Sequence, residues 1–354
     1  MFIRRAWYVA AWAADVGTQP LARTLLGLPI VLFRTDAGIA VALEDRCCHR
    51  GLPLSRGEVV DETIVCGYHG LAYDISGRCV RIPGQDNISP RMRVKQYPLR
   101  EQDELLWIWM GQPEDADPDL IPAYPYHNDH HAWPHRTCTQ RIACNYRLVI
   151  DNLLDLTHLA FVHKRTIGGD VNAHSSAEFE VTPTDRGVRL MRWMINSVPP
   201  PTYVQAIGFT GRVDRWMDFE FIAPCTVHQF TGALDAGAGA RESGRREGGF
   251  ALRIMHAITP ETGDSCYYFW SGCHGFRQNE PEVTEQLFST LASTFQEDAV
   301  VLEAQHVRLR QIAAPLFSTT HDRARVCAEH TLDRLLAAEG AMESAHPSIP
   351  GDEV

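Results

Sequence analysis

No stretch of about 18 consecutive apolar residues occurs, the length a helix needs to cross a bilayer, so no membrane span is expected. Basic residues are in deficit, 33 Lys and Arg against 44 Asp and Glu, for a formal charge of −11. Such a balance repels nucleic acid and anionic membranes, and neither is expected as a partner. Met1 to Ala14 carries Arg4 and Arg5 before its aromatics, with no long apolar core and no small-residue cleavage site. It is not expected to act as a signal peptide, and the expected location is cytoplasmic. Internal repeats are lacking. So is a Gly-rich nucleotide loop, which excludes direct use of a dinucleotide by this chain. The ten cysteines show no disulfide framework; in a reducing compartment they read as buried thiols or metal ligands.

What is present suits a globular protein of two domains: 354 residues, 45% of them hydrophobic and 22% charged. Short apolar runs at Trp7–Ala11, Ile30–Phe33, Ile39–Leu43 and Leu105–Met110, with turn signals among them, predict a β-rich N-terminal part. The Pro- and Asp-rich stretch Pro113–Pro125 marks a boundary, giving domains 1–115 and 116–343 and a disordered tail 344–354. A helical reading covers Tyr146–His163, and alternating stretches run from Phe179 to Phe276. Asp235–Gly249 interrupts them as a mobile surface loop, with an active-site lid as the lesser reading. Helices are expected over Pro281–Ile312 and Glu329–Glu339.

Only one group of cysteines has histidines at ligand spacing. Cys47-Cys48-His49-Arg50-Gly51 and Cys66-Gly67-Tyr68-His69-Gly70 form C-x-H and C-x-x-H, with sixteen residues between His49 and Cys66. A structural zinc site usually pairs its cysteines in one loop and its histidines in another. Here each loop mixes both types, which suits a [2Fe–2S] centre with two thiolates on one iron and two imidazoles on the other. Hydrogen bonds to the sulfurs raise the potential of such clusters. Leu71 offers no hydroxyl and Gly67 no additional thiol, so a low-potential, electron-donating cluster is expected.

A second set lies in Asn152-Leu153-Leu154-Asp155-Leu156-Thr157-His158 and His163. Burying these polar groups on an apolar segment is costly unless something binds them. The two histidines lie about 140° apart on an ideal helix, so a shared metal requires the helix to end or bulge between them. Two histidines and one carboxylate make the facial triad of O₂-activating iron(II). Leu287, Leu291, Phe295 and Leu302 mark the buried stripe of the long helix, and Asp298 falls within about 20° of it. Glu297 and Glu303 fall off that line and read as a solvated flank.

These motifs, with Trp7-Tyr8-Val9-Ala10, Ile82-Pro83-Gly84-Gln85, Trp107-Ile108-Trp109 and Thr259-Pro260-Glu261-Thr262, closely resemble the Rieske oxygenase α-subunits. Within them the chain is most similar to the vanillate O-demethylase and toluenesulfonate methyl-monooxygenase group, with dicamba O-demethylase also similar. The resemblance implies an α+β protein: an all-β Rieske domain, then a helix-grip (START-like) catalytic domain with an antiparallel sheet and a long C-terminal helix. It gives Cys47, His49, Cys66 and His69 to the [2Fe–2S] cluster and His158, His163 and Asp298 to a mononuclear Fe(II). Asp155 becomes the carboxylate that links the two centres across a head-to-tail homotrimer, and Asn152 a neighbour of the iron. It also implies O₂ as oxidant and NADH electrons delivered by a separate flavin and [2Fe–2S] reductase. The expected reaction is hydroxylation of a methyl or methoxy group on a small aromatic acid, formaldehyde leaving in the methoxy case. Ring dihydroxylation is the alternative enzyme reading, a Rieske-type electron carrier and a zinc-stabilised binding protein the alternatives of other classes. Gln229 and Arg253 are the candidate substrate-binding residues, since an aromatic acid needs donors or a cation in an apolar cavity.

Overall fold

In a computed structural model of the chain, residues 1–163, 167–168 and 171–345 are described. Ten strands precede the Pro-rich stretch: β1 (Trp7–Trp12), β2 (Leu21–Leu25), β3 (Leu28–Arg34), β4 (Ala40–Glu44), β5 (Glu58–Val60), β6 (Thr63–Val65), β7 (Ala72–Tyr73), β8 (Cys79–Arg81), β9 (Leu99–Gln102) and β10 (Leu105–Trp109). They pair antiparallel as β1-β10-β9, β2-β3-β4 and β5-β6-β7-β8, so this part is all-β among its regular strands. The β5–β8 sheet packs with β3 and β4 around Phe33, Leu43, Ile64 and Tyr73, and holds both Cys/His loops at its end.

The second part has seven strands: β11 (His135–Ile142), β12 (Glu178–Thr184), β13 (Gly187–Ser197), β14 (Val213–Ile222), β15 (Thr226–Asp235), β16 (Phe250–Thr262) and β17 (Ser265–His274). They form one antiparallel sheet in the order β11-β17-β16-β15-β14-β13-β12. Helices α1 (Tyr146–Leu154), α2 (Leu159–Val162), α3 (Val171–Ser175), α4 (Pro201–Ile207), α5 (Pro281–Gln311) and α6 (Arg323–Ala345) complete it. Leu287, Leu291, Phe295 and Leu302 of α5 are buried, as the i, i+4 stripe dictates. At Gly272 of β17 a Cβ would stand 2.5 Å from Leu291 Cδ1, so the helix rests directly on the strand there. No helix among the described residues is long and apolar enough to cross a membrane.

The two parts share an interface. β1 is buried throughout: Tyr8 and Ala10 join the main core, whereas Trp7 and Val9 pack against Met255, Ala257 and Phe269 of the large sheet. Thr259 donates to the Val9 carbonyl at 2.7 Å, and the amides of Leu26 and Gly27 reach the carbonyls of Pro260 and Glu261. The β9–β10 turn places Asp103 and Glu104 at φ +53° and +64°. Asp103 then accepts from Tyr124 N and Asn128 Nδ2, and Glu104 faces His130 and His135. This turn clasps the segment between β10 and β11, within which the boundary expected at 115/116 falls.

Three expectations change. The helix expected through His163 breaks at Asp155 (φ −111°, ψ 97°), ahead of both histidines, and resumes as α2 with His158 and His163 at its two ends. The final helix is longer than Glu329–Glu339 and takes in residues 344–345, assigned to the tail; the remaining tail positions, 346–354, lie outside the described residues. Asp235–Gly249 packs on the sheet face that carries Trp216, with Ala240 buried and Arg246 over the rings of Trp193 and Trp216. None of its residues lines the cavity described below, so the lesser lid reading gains no support from the cavity wall.

Asp151 on α1 lies 3.9 Å from Arg325 of α6 and close to Glu329. Burial, then the Glu329 charge, push its carboxyl up to about 7 against the pull of Arg325. An unfolded aspartate titrates near ~4, so the folded chain resists its ionisation. The resulting destabilisation grows as pH rises through roughly 4 to 7 and is complete above. Asp151→Asn should therefore raise the unfolding free energy by about 1–2 kcal/mol at pH 8 and about half as much at pH 5.5. Denaturant titrations at the two pH values measure the difference.

Candidate metal centres and catalytic cavity

The two N-terminal ligand loops share one backbone frame despite their different spacing. In each, the cysteine amide donates to the carbonyl five residues on (Cys47 to Leu52, Cys66 to Leu71), at 2.8 Å. In each, the glycine four residues on (Gly51, Gly70) donates back to the cysteine carbonyl. Those glycines stand at φ +74° and +71°, a left-handed conformation that side chains disfavour. Cys47 and Cys66 are buried, whereas His49 and His69 are exposed with ring centroids 4.7 Å apart. Two thiols inside and two imidazoles at the surface match the donor asymmetry of a Rieske cluster.

One donor escaped the reading of the sequence. Tyr73, on β7, sets its hydroxyl 3.1 Å from Cys47 Sγ and 3.2 Å from Cys48 Sγ, while the Cys48 amide donates to it. Burial and the adjacent cysteines raise its pKa far above the tyrosine range, so it remains a proton donor. The absence of a hydroxyl at Leu71 is thus partly made good from two residues further on. A hydrogen bond to a ligand sulfur favours the reduced cluster. Tyr73→Phe should lower the midpoint potential by about 40 mV, the equivalent of ~1 kcal/mol in a one-electron couple. Redox titration followed by the visible spectrum reads it directly.

The second set converges. His163 Nε2 and His158 Nε2 lie 3.1 and 3.5 Å from Asp298 Oδ1, at the junction of α2 and α5. Each histidine has its other ring nitrogen committed: His158 Nδ1 donates to the Asp155 carbonyl at 2.5 Å, His163 Nδ1 to Glu297 Oε2 at 2.7 Å. Those bonds fix the tautomers that turn both Nε2 lone pairs toward Asp298, the arrangement that metal-ligating histidines show. His163 and Asp298 are only 1% and 7% exposed. Burial lowers the His158 pKa; at His163 burial is outweighed by Asp298 and Glu297, which raise it. The donor set fits a 2-His-1-carboxylate iron site. Asn152 Nδ2 donates to Asp298 Oδ1 at 3.1 Å, so it holds the carboxylate. Glu297 is not a solvated bystander, because α2 brings His163 within reach of its side chain.

The Asp155 carboxylate accepts from Thr157 N and Oγ1 at 2.9 and 2.6 Å, while the His158 ring donates to the Asp155 carbonyl instead. Among the described residues no hydrogen bond joins His69 to Asp155 or His158.

His158, His163 and Asp298 form part of the wall of a largely apolar cavity between the sheet and α5. The segments 227–233, 252–256 and 288–292 each contribute residues to it: Gln229 and Thr231, Leu252 and Ile254, Thr290 and Leu291. Gln229 faces the cavity, but both ends of its amide are engaged, accepting from His256 Nε2 and donating to Thr231. Burial pushes His256 down to about 3, so its ring is neutral and can accept from Tyr268 while donating to Gln229. Arg253 does not line this cavity. It alternates with Leu252 and Ile254 and points through the other sheet face, onto the rings of Phe230 and Tyr126. Arg215 and Tyr203, unremarked in the sequence, do line it.

The Rieske [2Fe-2S] domain family matches residues 6–98, and the vanillate O-demethylase oxygenase C-terminal domain family matches residues 142–338. The toluene-4-sulfonate monooxygenase system iron-sulfur subunit TsaM1 of Comamonas testosteroni is 37% identical over 342 residues, 96% of this chain and 98% of that one. A vanillate O-demethylase oxygenase subunit of Pseudomonas sp. is 34% identical over 352 residues, 96% of each chain. Dicamba monooxygenase, solved with dicamba bound, superposes with TM-score 0.89 at 32% identity over 96% of this chain and 99% of that chain. It has also been solved with non-haem iron. With a Rieske [2Fe–2S] cluster and a mononuclear iron as its cofactors, this chain belongs to the Rieske non-haem iron oxygenases of the vanillate O-demethylase type.

Proposed function

We propose that the chain is the oxygenase component of an aromatic monooxygenase that hydroxylates a methyl or methoxy group of a small aromatic acid. A methoxy substrate leaves as a phenol and formaldehyde. The observation that carries this reading is the placement of His158, His163 and Asp298 on the wall of a largely apolar cavity. Cys47, His49, Cys66 and His69 hold the cluster; His158, His163 and Asp298 hold the iron. When bound, the cluster relays single electrons and the iron activates dioxygen.

The chain's own residues do the rest. Asn152 and Glu297 orient Asp298 and His163, and Leu153, Leu156, Met217, Phe219 and Ile254 exclude water from the cavity. Electrons come from NADH through a separate flavin and [2Fe–2S] reductase, as the multicomponent relatives imply. The exposed His49 and His69, beside a Tyr68 that is 58% exposed, suit docking against another copy. We place Asp155 between His69 of one copy and His158 of the next in a head-to-tail homotrimer, with domains 1–115 and 116–343 on either side of each junction. Ten cysteines, none of them in a disulfide, fit the cytoplasm.

The test is incubation of anaerobically purified protein, a surrogate reductase and NADH with a panel of methoxybenzoates and toluenesulfonates. Formaldehyde from a methoxybenzoate, or a benzylic alcohol from a toluenesulfonate, supports the reading. A ring cis-diol as the main product contradicts it in favour of dihydroxylation.

A further inference from the structure

We propose that Arg215 is the anion anchor of the catalytic cavity and makes it select aromatic acids over their neutral analogues; this rests on the function proposed above. Arg215 sits on β14 between Asp214 and Trp216, and β14 presents Arg215, Met217 and Phe219 to the cavity. Its residue is 2% exposed, and it ranks among the largest fully buried side chains of the chain.

Buried arginines are ordinarily paired, because an uncompensated guanidinium inside a protein is costly. Arg192, the neighbouring buried arginine, follows that rule by donating to the carbonyls of Leu156 and His174. Arg215 does not. No Asp or Glu carboxylate of the described residues lies within 4.0 Å of it, and its Nε has no hydrogen-bond partner. Its guanidinium stands 4.8 Å over the Tyr203 ring, which contributes a π face and a neutral hydroxyl but no negative charge. The Tyr203 ring in turn stacks on Phe250 at 3.9 Å, so the cation is held in place by rigid aromatic packing.

The other polar groups of the cavity divide the work. The Gln229 amide is engaged at both ends, and Asn152 is tied to Asp298. The His158, His163 and Asp298 set is at the reacting end. Among the described residues of the wall, Arg215 is the one cation with donors left over. A planar guanidinium fork accepts a carboxylate in bidentate fashion, and a sulfonate through two of its oxygens. Thr231, whose hydroxyl accepts from Gln229, retains its own proton for the same anion. The ligand thereby inferred is an aromatic ring bearing one carboxylate or sulfonate at the end remote from the oxidised methyl or methoxy group.

The test compares 4-methoxybenzoate with 4-methoxybenzamide, and toluene-4-sulfonate with the matching methyl sulfone, using untagged holoenzyme, reductase and NADH. Wild type is expected to favour each acid by about 100-fold in kcat/KM, mainly through KM. Arg215→Met should bring the acid-to-neutral ratio to within about threefold of one, and Arg215→Lys should restore part of the preference. Iron content and the cluster spectrum, unchanged in both variants, exclude a folding defect. A ratio in Arg215→Met equal to that of wild type overturns the anchor while leaving the proposed function standing. So does an equal loss of acid and neutral substrate, which marks a purely structural arginine. Failure of wild type to oxidise any of the four compounds overturns the function itself, and the anchor with it.

Discussion

Asp298→Ala is expected to abolish turnover while leaving the red-brown colour of the protein intact. Among the described residues the carboxylate is the one anion that both Nε2 atoms face, at 3.1 and 3.5 Å, and Asn152 is oriented to hold it there. Without it two neutral imidazoles remain, a set too weak to retain iron(II) with three positions to fill. Iron per chain should fall from about three to about two, the pair in the cluster being unaffected. Turnover should drop by about 10³-fold or more, ~4 kcal/mol in barrier. Glu297→Gln provides the graded companion. It keeps a hydrogen bond to His163 Nδ1 but removes the charge, so it should weaken iron retention by about tenfold rather than abolish it. Metal analysis after dialysis, alongside oxygen uptake, separates the two variants. Retention of three irons in Asp298→Ala would remove Asp298 from the site.

Asp155→Asn is expected to separate electron delivery from metal binding. The Asp155 carbonyl, not its carboxylate, orients His158, and a substitution in the side chain leaves that bond in place. The carboxylate accepts from Thr157 through one oxygen and is half-buried near Arg192. In the proposed trimer its second oxygen is the group that would face the incoming copy. That carboxylate would accept from His69 of the next copy while the Asp155 carbonyl holds His158, so one residue joins the two centres through a short bonded path. Asparagine keeps the size and loses the charge and one acceptor. The variant should keep its cluster spectrum, most of its iron and its oligomeric state, yet turn over at a few per cent of wild type or less, ~2 kcal/mol or more in barrier. Normal turnover, or a loss that missing iron wholly accounts for, argues against the bridge.

The candidate metal-binding sets were legible because metals dictate residue type. A Cys/His mixture in each of two loops, and a carboxylate on an apolar helical stripe, serve few purposes besides holding a metal. The positions that sequence reading misplaced were decided by strand parity and by tertiary approach. Arg253 and Arg215 look alike in the sequence, each an arginine in a strand. The alternation that sends Leu252 and Ile254 into the cavity sends Arg253 out of it, and that signal was present to be read. No comparable signal marked Arg215, since Asp214 and Trp216 flank it without a simple polar–apolar rhythm. Glu297 lies about 100° around the helix from Asp298, and only the docking of α2 brings His163 to it. Tyr73 is apolar filler in a β-strand by pattern; the fold of the sheet carrying both loops turns its hydroxyl onto Cys47. The break at Asp155 likewise leaves no Gly or Pro behind in the sequence, and follows from the Asp155–Thr157 turn that its own side chain closes.

The account stands on two different iron centres in one chain, and metal analysis combined with the visible spectrum of the anaerobically purified protein tests that most directly. About three irons per chain, with a red-brown protein whose colour bleaches on reduction, is the result expected of a cluster plus a mononuclear site. Stoichiometric zinc with no visible band would contradict it.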